Sequence, residues 1–209
     1  MTDEDVFRFA AVSLCAVLAG VYYLQVLTGF DPAFNAADSP AWKFLASMFG
    51  HSNLEHLANN AFFLGLFGSM YELLTSEKAF FATFLLCGVA GNLSAFLFFP
   101  ESFIIGASGG AAGVLAALAA YRPGKVGMVF GVPMPMWAVL LGYLFINFAG
   151  LTGSANVAYE AHLSGMLAGL VVGLRLRSQP YTLRVPEAEP EDSEWRSRIR
   201  EWEEEYMMD

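Results

Sequence analysis

Six long apolar runs leave this chain few ways to fold. They are Val6–Thr28, Leu54–Leu74, Ala79–Phe99, Gly106–Tyr121, Val126–Leu151 and Val157–Leu174. Most reach the roughly 20 residues that a helix needs to cross a hydrocarbon core about 30 Å thick. The fourth is short, rising only about 24 Å at the helical rise per residue. Of the 209 residues, 56% are hydrophobic and 15% charged, and the mean hydropathy is +0.48. That balance belongs to polytopic membrane proteins rather than soluble domains. The expected fold is an all-α membrane protein, a bundle of six transmembrane helices with a short buried fourth helix. The bundle should occupy 1–178, followed by an acidic cytoplasmic tail over 179–209.

The remaining composition removes several functional classes. Cys15 and Cys87 both fall inside apolar runs, so they read as small buried hydrophobes, not as a disulfide or metal site. Half of the twenty acids lie between Glu187 and Asp209, and no basic patch exists for a nucleic-acid partner. The acidic start, Met1 to Asp5, lacks the basic region of a cleaved signal peptide. The tail repeats Trp195, Ile199, Trp202 and Tyr206 at helical spacing; a solvated acidic extension with a weak apolar stripe is the favoured reading.

Orientation follows from the cations. If the helices alternate, Arg8, Lys78, Arg122, Lys125, Arg175 and Arg177 share one side with the tail arginines, and Lys43 stands alone on the other. The positive-inside rule then puts both termini in the cytoplasm. Helices two, four and six run in the same direction. Ser108 precedes Arg122 by fourteen residues and His162 precedes Arg175 by thirteen. Both side chains should therefore lie about 20 Å above the cytoplasmic interface.

A short fourth helix begins inside the membrane, with Ser108 at its N-terminus. Unpaired backbone N–H groups there favour negative charge. Gly165, Gly169 and Gly173 form a smooth ridge on the sixth helix, and Gly109 and Gly113 offer a matching surface on the fourth. If the ridges meet, the Ser108 hydroxyl comes within reach of the His162 imidazole, which can take its proton. An oxyanion would need donors; the Ser108 amide is one, and His56 and Asn60, four residues apart on one helical face, are others. No acid lies at the right depth to orient His162, so a dyad is expected. A plainer reading makes Ser108 a packing residue and each histidine a structural hydrogen-bonder. A metal site is disfavoured because His51 and His56 are five apart and no third ligand accompanies them. Asn92 and Asn147 read as interhelical glue.

Two loops stand out. Gly29–Gly50 is long and carries Pro32, Pro40 and Trp42-Lys43, an interfacial pair. Gly150–Asn156 leads to the sixth helix over the proposed site and is a candidate lid.

Together these residues resemble the rhomboid intramembrane serine proteases, across about Trp42 to Gly173. Gly106-Ala107-Ser108-Gly109 is similar to the family's G-x-S-G nucleophile motif. His51, His56 and Asn60 match its second-helix motif, and His162, Gly165 and Gly169 its final-helix motif. Trp42-Lys43 falls where the family often has Trp-Arg, and Glu72 where it has an acid. The resemblance implies a rhomboid-like bundle, Ser108 as nucleophile and His162 as general base and acid. His56, Asn60 and the amides of Ser108 and Ala107 would bind the oxyanion. Structural support would come from His51, Glu72, Trp42, Gly106, Gly109, Gly165 and Gly169. It implies hydrolysis of transmembrane protein substrates within the lipid bilayer, with no cofactor and no metal; a compact six-helix core without added domains is the ground for expecting a prokaryotic plasma membrane. One departure is Ala112, where many members carry an aromatic ring that stacks on the histidine. Either Tyr159 or a ring from the fifth helix supports His162 in its stead, or the imidazole is less well held. The alternatives are a non-catalytic rhomboid-like scaffold or client escort, and a small transporter, which would need polar residues along a whole pathway.

Overall fold

The computed structural model describes residues 9–129, 131–151, 159–178 and 201. The expected tail helix, the N-terminal residues and most of the candidate lid lie outside them. The described core is helical: α1 (Ala10–Thr28), α2 (Lys43–Ala46), α3 (Leu54–Phe63), α4 (Ser69–Leu74), α5 (Glu77–Phe98), α6 (Ser108–Tyr121), α7 (Met136–Gly150) and α8 (Tyr159–Arg177). A π-helical stretch, Leu64–Gly68, joins α3 to α4, so the helical turns run unbroken over 54–74.

Local chemistry sets the helix ends. The Asn53 side chain accepts from the amide of His56 at 2.8 Å to start α3, and Ser76 accepts from Ala79 at 3.1 Å to start α5. Gly29, in the left-handed region, closes α1 with its amide on the Gln25 carbonyl. The start of α1 is capped from far away. Both oxygens of the buried Glu72 carboxylate accept from the amides of Ala10 and Ala11 at 2.9 Å, placing negative charge at a helix N-terminus.

The fifth apolar run is a correction. Val126–Leu151 does not form one helix; it opens with an antiparallel hairpin, β1 (Val126–Val129) and β2 (Val132–Pro135), and α7 follows. Pro133 and Pro135 lack the N–H that an interior helical turn needs, and Gly131 supplies a positive φ at the bend. The run is apolar throughout, so hydropathy alone concealed the break.

The short helix α6 is the axis of the bundle, buried from Gly109 to Tyr121. The outer helices turn large apolar side chains outward: Leu24 and Leu27 on α1, Leu86 and Leu97 on α5, Phe145 and Ile146 on α7, Leu167 on α8. An apolar exterior of this extent suits lipid, not water. Among the described residues, α1 and α5 are long and apolar enough to cross a membrane by themselves, and α6 and α7 are apolar but shorter. Only 22% of the α1 window and 44% of the α5 window are buried, which is unlike the core helix of a soluble protein.

Between lipid-facing helices there is little hydrophobic gain, so association rests on close packing. The α8 ridge supplies it. Side-chain atoms at Gly165, Gly169 or Gly173 would collide with the backbone carbonyls of Gly109, Gly113 and Ala117 respectively.

The long connection before α3 is folded onto the bundle. Phe34 pairs with Ile104 through two backbone bonds of 2.9 and 2.8 Å, and its ring packs with Phe44 and Ala95. Asn92 on α5 donates to the Phe44 carbonyl and to Ser47 Oγ, and the Ser47 carbonyl accepts from Gly106 at 2.8 Å. Asn92 therefore ties α5 to the short helix α2 and the residue that follows it. The segment leading into α6 is held at two points, immediately before Ser108.

Candidate active site

Ser108 opens α6, with Ala107 as the preceding cap residue. Its amide is among the first of that helix, which have no carbonyl acceptor one turn back. His162 lies in the first turns of α8 and is 8% exposed. Its Nε2 is 2.7 Å from Ser108 Oγ. The two residues that depth arithmetic places level are thus in hydrogen-bonding contact.

The other face of the imidazole has a partner that sequence reasoning did not single out for this role. His162 Nδ1 lies 2.8 Å from Asn147 Oδ1, and Asn147 is 1% exposed. The signal was available: Asn147 is the one strongly polar side chain in the apolar α7, and such residues by default mark function. Two rings flank the imidazole. Tyr143 of α7 stacks at 6.4 Å between centroids, and Tyr159 meets it edge-on at 6.1 Å. Gly150 leaves space for the Tyr159 ring. These aromatics occupy surroundings that Ala112, buried in α6, does not serve.

On the opposite side stand the residues of α3. His56 Nδ1 is 3.1 Å from Ser52 Oγ; when that hydroxyl donates, Nε2 carries the proton. A Cβ built on Gly106 would lie 2.7 Å from His56 Nε2 and 3.7 Å from Ser108 Oγ, so the imidazole and the hydroxyl border the same small space. Gly106 keeps that space open and adopts φ +127°, which L side chains rarely tolerate. Asn60 is buried and spends one amide hydrogen on the His56 carbonyl at 3.0 Å, leaving the other without a partner among the described residues.

The remaining residues singled out by sequence stand further from the hydroxyl. His51 is buried, its backbone N–H and carbonyl both held by the Gln25 amide. Its ring sits edge-on to His56 at 5.1 Å, and neither ring nitrogen has a partner among the described residues. Burial, aided by the nearby His56, holds its pKa down at about 4. Trp42 stacks on Phe30 at 5.9 Å, and Lys43 reaches Asp31 at 3.6 Å; both belong to the long connection between α1 and α3. Glu72 caps α1. Gly109, Gly165 and Gly169 form the packing seam between α6 and α8. Among the described residues no cluster of three His, Cys, Asp or Glu could hold a metal ion.

The arrangement contains a hydroxyl paired to a base, an acceptor behind that base, and potential donors across a small gap. These are the parts that acyl transfer to a serine requires.

Comparison with known proteins points to one family. A family model described as the Rhomboid domain matches residues 38–179, more than half of the chain. A curated relative, rhomboid-like protein 11, chloroplastic, of Arabidopsis thaliana, is 29% identical over 186 residues, covering 81% of this chain and 64% of its own. The rhomboid protease GlpG of Haemophilus influenzae is 26% identical over 187 residues, covering 83% and 92%. Inactive rhomboid protein 1 of Drosophila melanogaster is 26% identical over 174 residues, covering 81% and 12%. The chain spans less than two thirds of the length of the Arabidopsis relative.

Proposed function

The chain belongs to the rhomboid family, and from that membership we propose that it is an intramembrane serine protease. Its substrates are membrane proteins, cut in or near a transmembrane segment by Ser108 and His162. The observation that carries this reading is the 2.7 Å contact between Ser108 Oγ and His162 Nε2.

Rhomboid-family proteins are membrane-embedded. The six-span count, with 54–74 as one crossing and the short α6 enclosed, belongs to the proposal. So do the cytoplasmic placement of both termini and a prokaryotic plasma membrane. The acidic segment over 179–209 is proposed to lie in the cytoplasm.

The reaction runs in two halves. Ser108 Oγ attacks the scissile carbonyl carbon while its proton moves to His162 Nε2. The carbonyl electron pair becomes an oxyanion, facing the Ser108 amide, the Ala107 region, His56 Nε2 and Asn60. Collapse breaks the C–N bond, and the leaving amine takes the proton from His162. Water, deprotonated by the same imidazole, then hydrolyses the acyl ester and restores Ser108. The serine proton departs on the amine and is replaced by one from water through His162, so both side chains end as they began, and no metal or cofactor is required.

Family membership alone does not decide activity, since one relative is named inactive. In this chain serine and histidine are both present and in contact, which favours the protease over a scaffold. The test is incubation of the purified protein with a detergent-solubilised single-span substrate. Wild type should cleave it; Ser108→Ala and His162→Ala should not, and a fluorophosphonate should label Ser108 alone. Cleavage that survives both substitutions would remove the dyad.

A further inference from the structure

Asn147 stands behind His162 in a way that fixes more than its position. Its Nδ2 donates to the Tyr143 carbonyl, one turn back on α7, at 2.7 Å. A carbonyl can only accept, so the NH2 half of the amide must face Tyr143. The other half, Oδ1, therefore faces His162 Nδ1 at 2.8 Å and can only accept from it. The neutral imidazole then carries its hydrogen on Nδ1. Its Nε2 lone pair is left pointing at Ser108 Oγ, 2.7 Å away.

Resting on the protease reading above, we propose that Asn147 is a positioning residue that locks His162 in the Nδ1–H tautomer and aims its free lone pair at Ser108. The site is then a serine–histidine–asparagine triad, with a neutral amide in place of the carboxylate of the serine–histidine–aspartate form. A neutral acceptor suits the location. Asn147 and His162 are both buried, and a carboxylate there would carry a heavy desolvation cost in the resting enzyme. When the serine proton arrives on Nε2, the ring becomes imidazolium, and the Nδ1–H···Oδ1 bond becomes charge-assisted and stronger. Asn147 thus favours the charged state more than the resting one, without itself accepting a proton. The two tyrosine rings cannot replace it: Tyr143 and Tyr159 limit the tilt of the imidazole but say nothing about which nitrogen holds hydrogen. Among the described residues, Ser108 and these two tyrosines lie against the ring, and His56 is near enough to act on it electrostatically.

The test combines a tautomer measurement with kinetics on the full-length protein in detergent. With histidine labelled by nitrogen-15, the His162 signal is assigned by its loss in His162→Ala. Wild type should show the Nδ1–H form, and Asn147→Leu should show a mixture or the Nε2–H form. On the single-span substrate, Asn147→Leu should lower kcat by about 10–100-fold, a fraction of what a positioned base contributes, with KM little changed. Asn147→Asp keeps the acceptor and adds charge, so it should retain the Nδ1–H form and move the acid limb of the kcat profile to higher pH by about one unit or more. If Asn147→Leu does not fold, the Asn147→Asp profile and the wild-type tautomer still decide. An Nε2–H tautomer in wild type, or an unshifted Asn147→Asp profile, would overturn the assignment. Wild-type protein that shows the Nδ1–H form yet cleaves nothing and takes no fluorophosphonate would instead sink the protease reading.

Discussion

Gly165 of α8 rests directly on the backbone carbonyl of Gly109 in α6. One residue before that contact is Ser108, and three residues before it on the other helix is His162. The hydroxyl and the imidazole meet because the two helices touch backbone to backbone within a turn of both residues. Any side chain in that seam spreads the helices and opens the 2.7 Å gap.

Gly165→Ala and Gly169→Val test this. Both new side chains would strike the carbonyls of α6, which cannot move without moving the helix. Each should destabilise the protein by about 1–3 kcal/mol, the usual cost of overpacking. Cleavage rate per folded molecule should also fall, because the helices can only accommodate the extra atoms by separating. Thermal melts in detergent read the first effect and active-site labelling the second. Equal labelling rates in wild type and variants would mean that the seam does not set the geometry.

Gly106→Ala should act locally. The backbone there has φ +127°, and the added methyl would press on the His56 ring. Backbone strain of about 1–3 kcal/mol is expected, together with a displaced His56 and a lower kcat. A variant with wild-type kcat would show that the space beside Ser108 is not used by substrate.

His56→Ala and Asn60→Ala should each reduce kcat by about 10–1,000-fold if they donate to the oxyanion. Asn60→Ala should also loosen His56, whose carbonyl that side chain braces. Parallel losses in KM and kcat with a lowered melting temperature would assign these residues to packing.

Glu72→Leu should weaken the start of α1. Two buried amides, those of Ala10 and Ala11, would lose a charged acceptor, at a cost of about 2–3 kcal/mol. A melting temperature unchanged from wild type would show that other groups cap the helix equally well.

Acid should destabilise the fold through His51. Its imidazole titrates near 6.5 when exposed and at about 4 in the folded chain, because burial disfavours the charged form. Between those values the unfolded chain takes up a proton that the folded chain refuses. The stability that His51 contributes is therefore complete above pH 6.5 and drains away as pH falls towards 4. Melting temperatures between pH 7 and 4.5 should fall more steeply for wild type than for His51→Phe. Parallel curves would show that His51 is not held neutral.

The amino-acid sequence singled out Ser108 and His162 and put them at one level. Apolar runs on both sides of Ser108 and His162, with cations as depth marks, put the pair at one height. Four-residue glycine spacing on α6 and α8 announced the seam, because small residues are needed wherever helix backbones approach. Hydropathy could not separate a hairpin from a helix over Val126–Pro135, since both are apolar there and the proline and glycine signals were outweighed by length. Nor could it give Asn147 a role beyond glue. A single polar residue on α7 fixes no rotation about the helix axis, so which neighbour it faces depends on how α7 packs against α8. Tertiary packing decided that, as it decided that Glu72 would cap a helix more than sixty residues earlier in the chain. Hydrogen bonds between distant elements require distances and angles, and a linear order of residues carries neither.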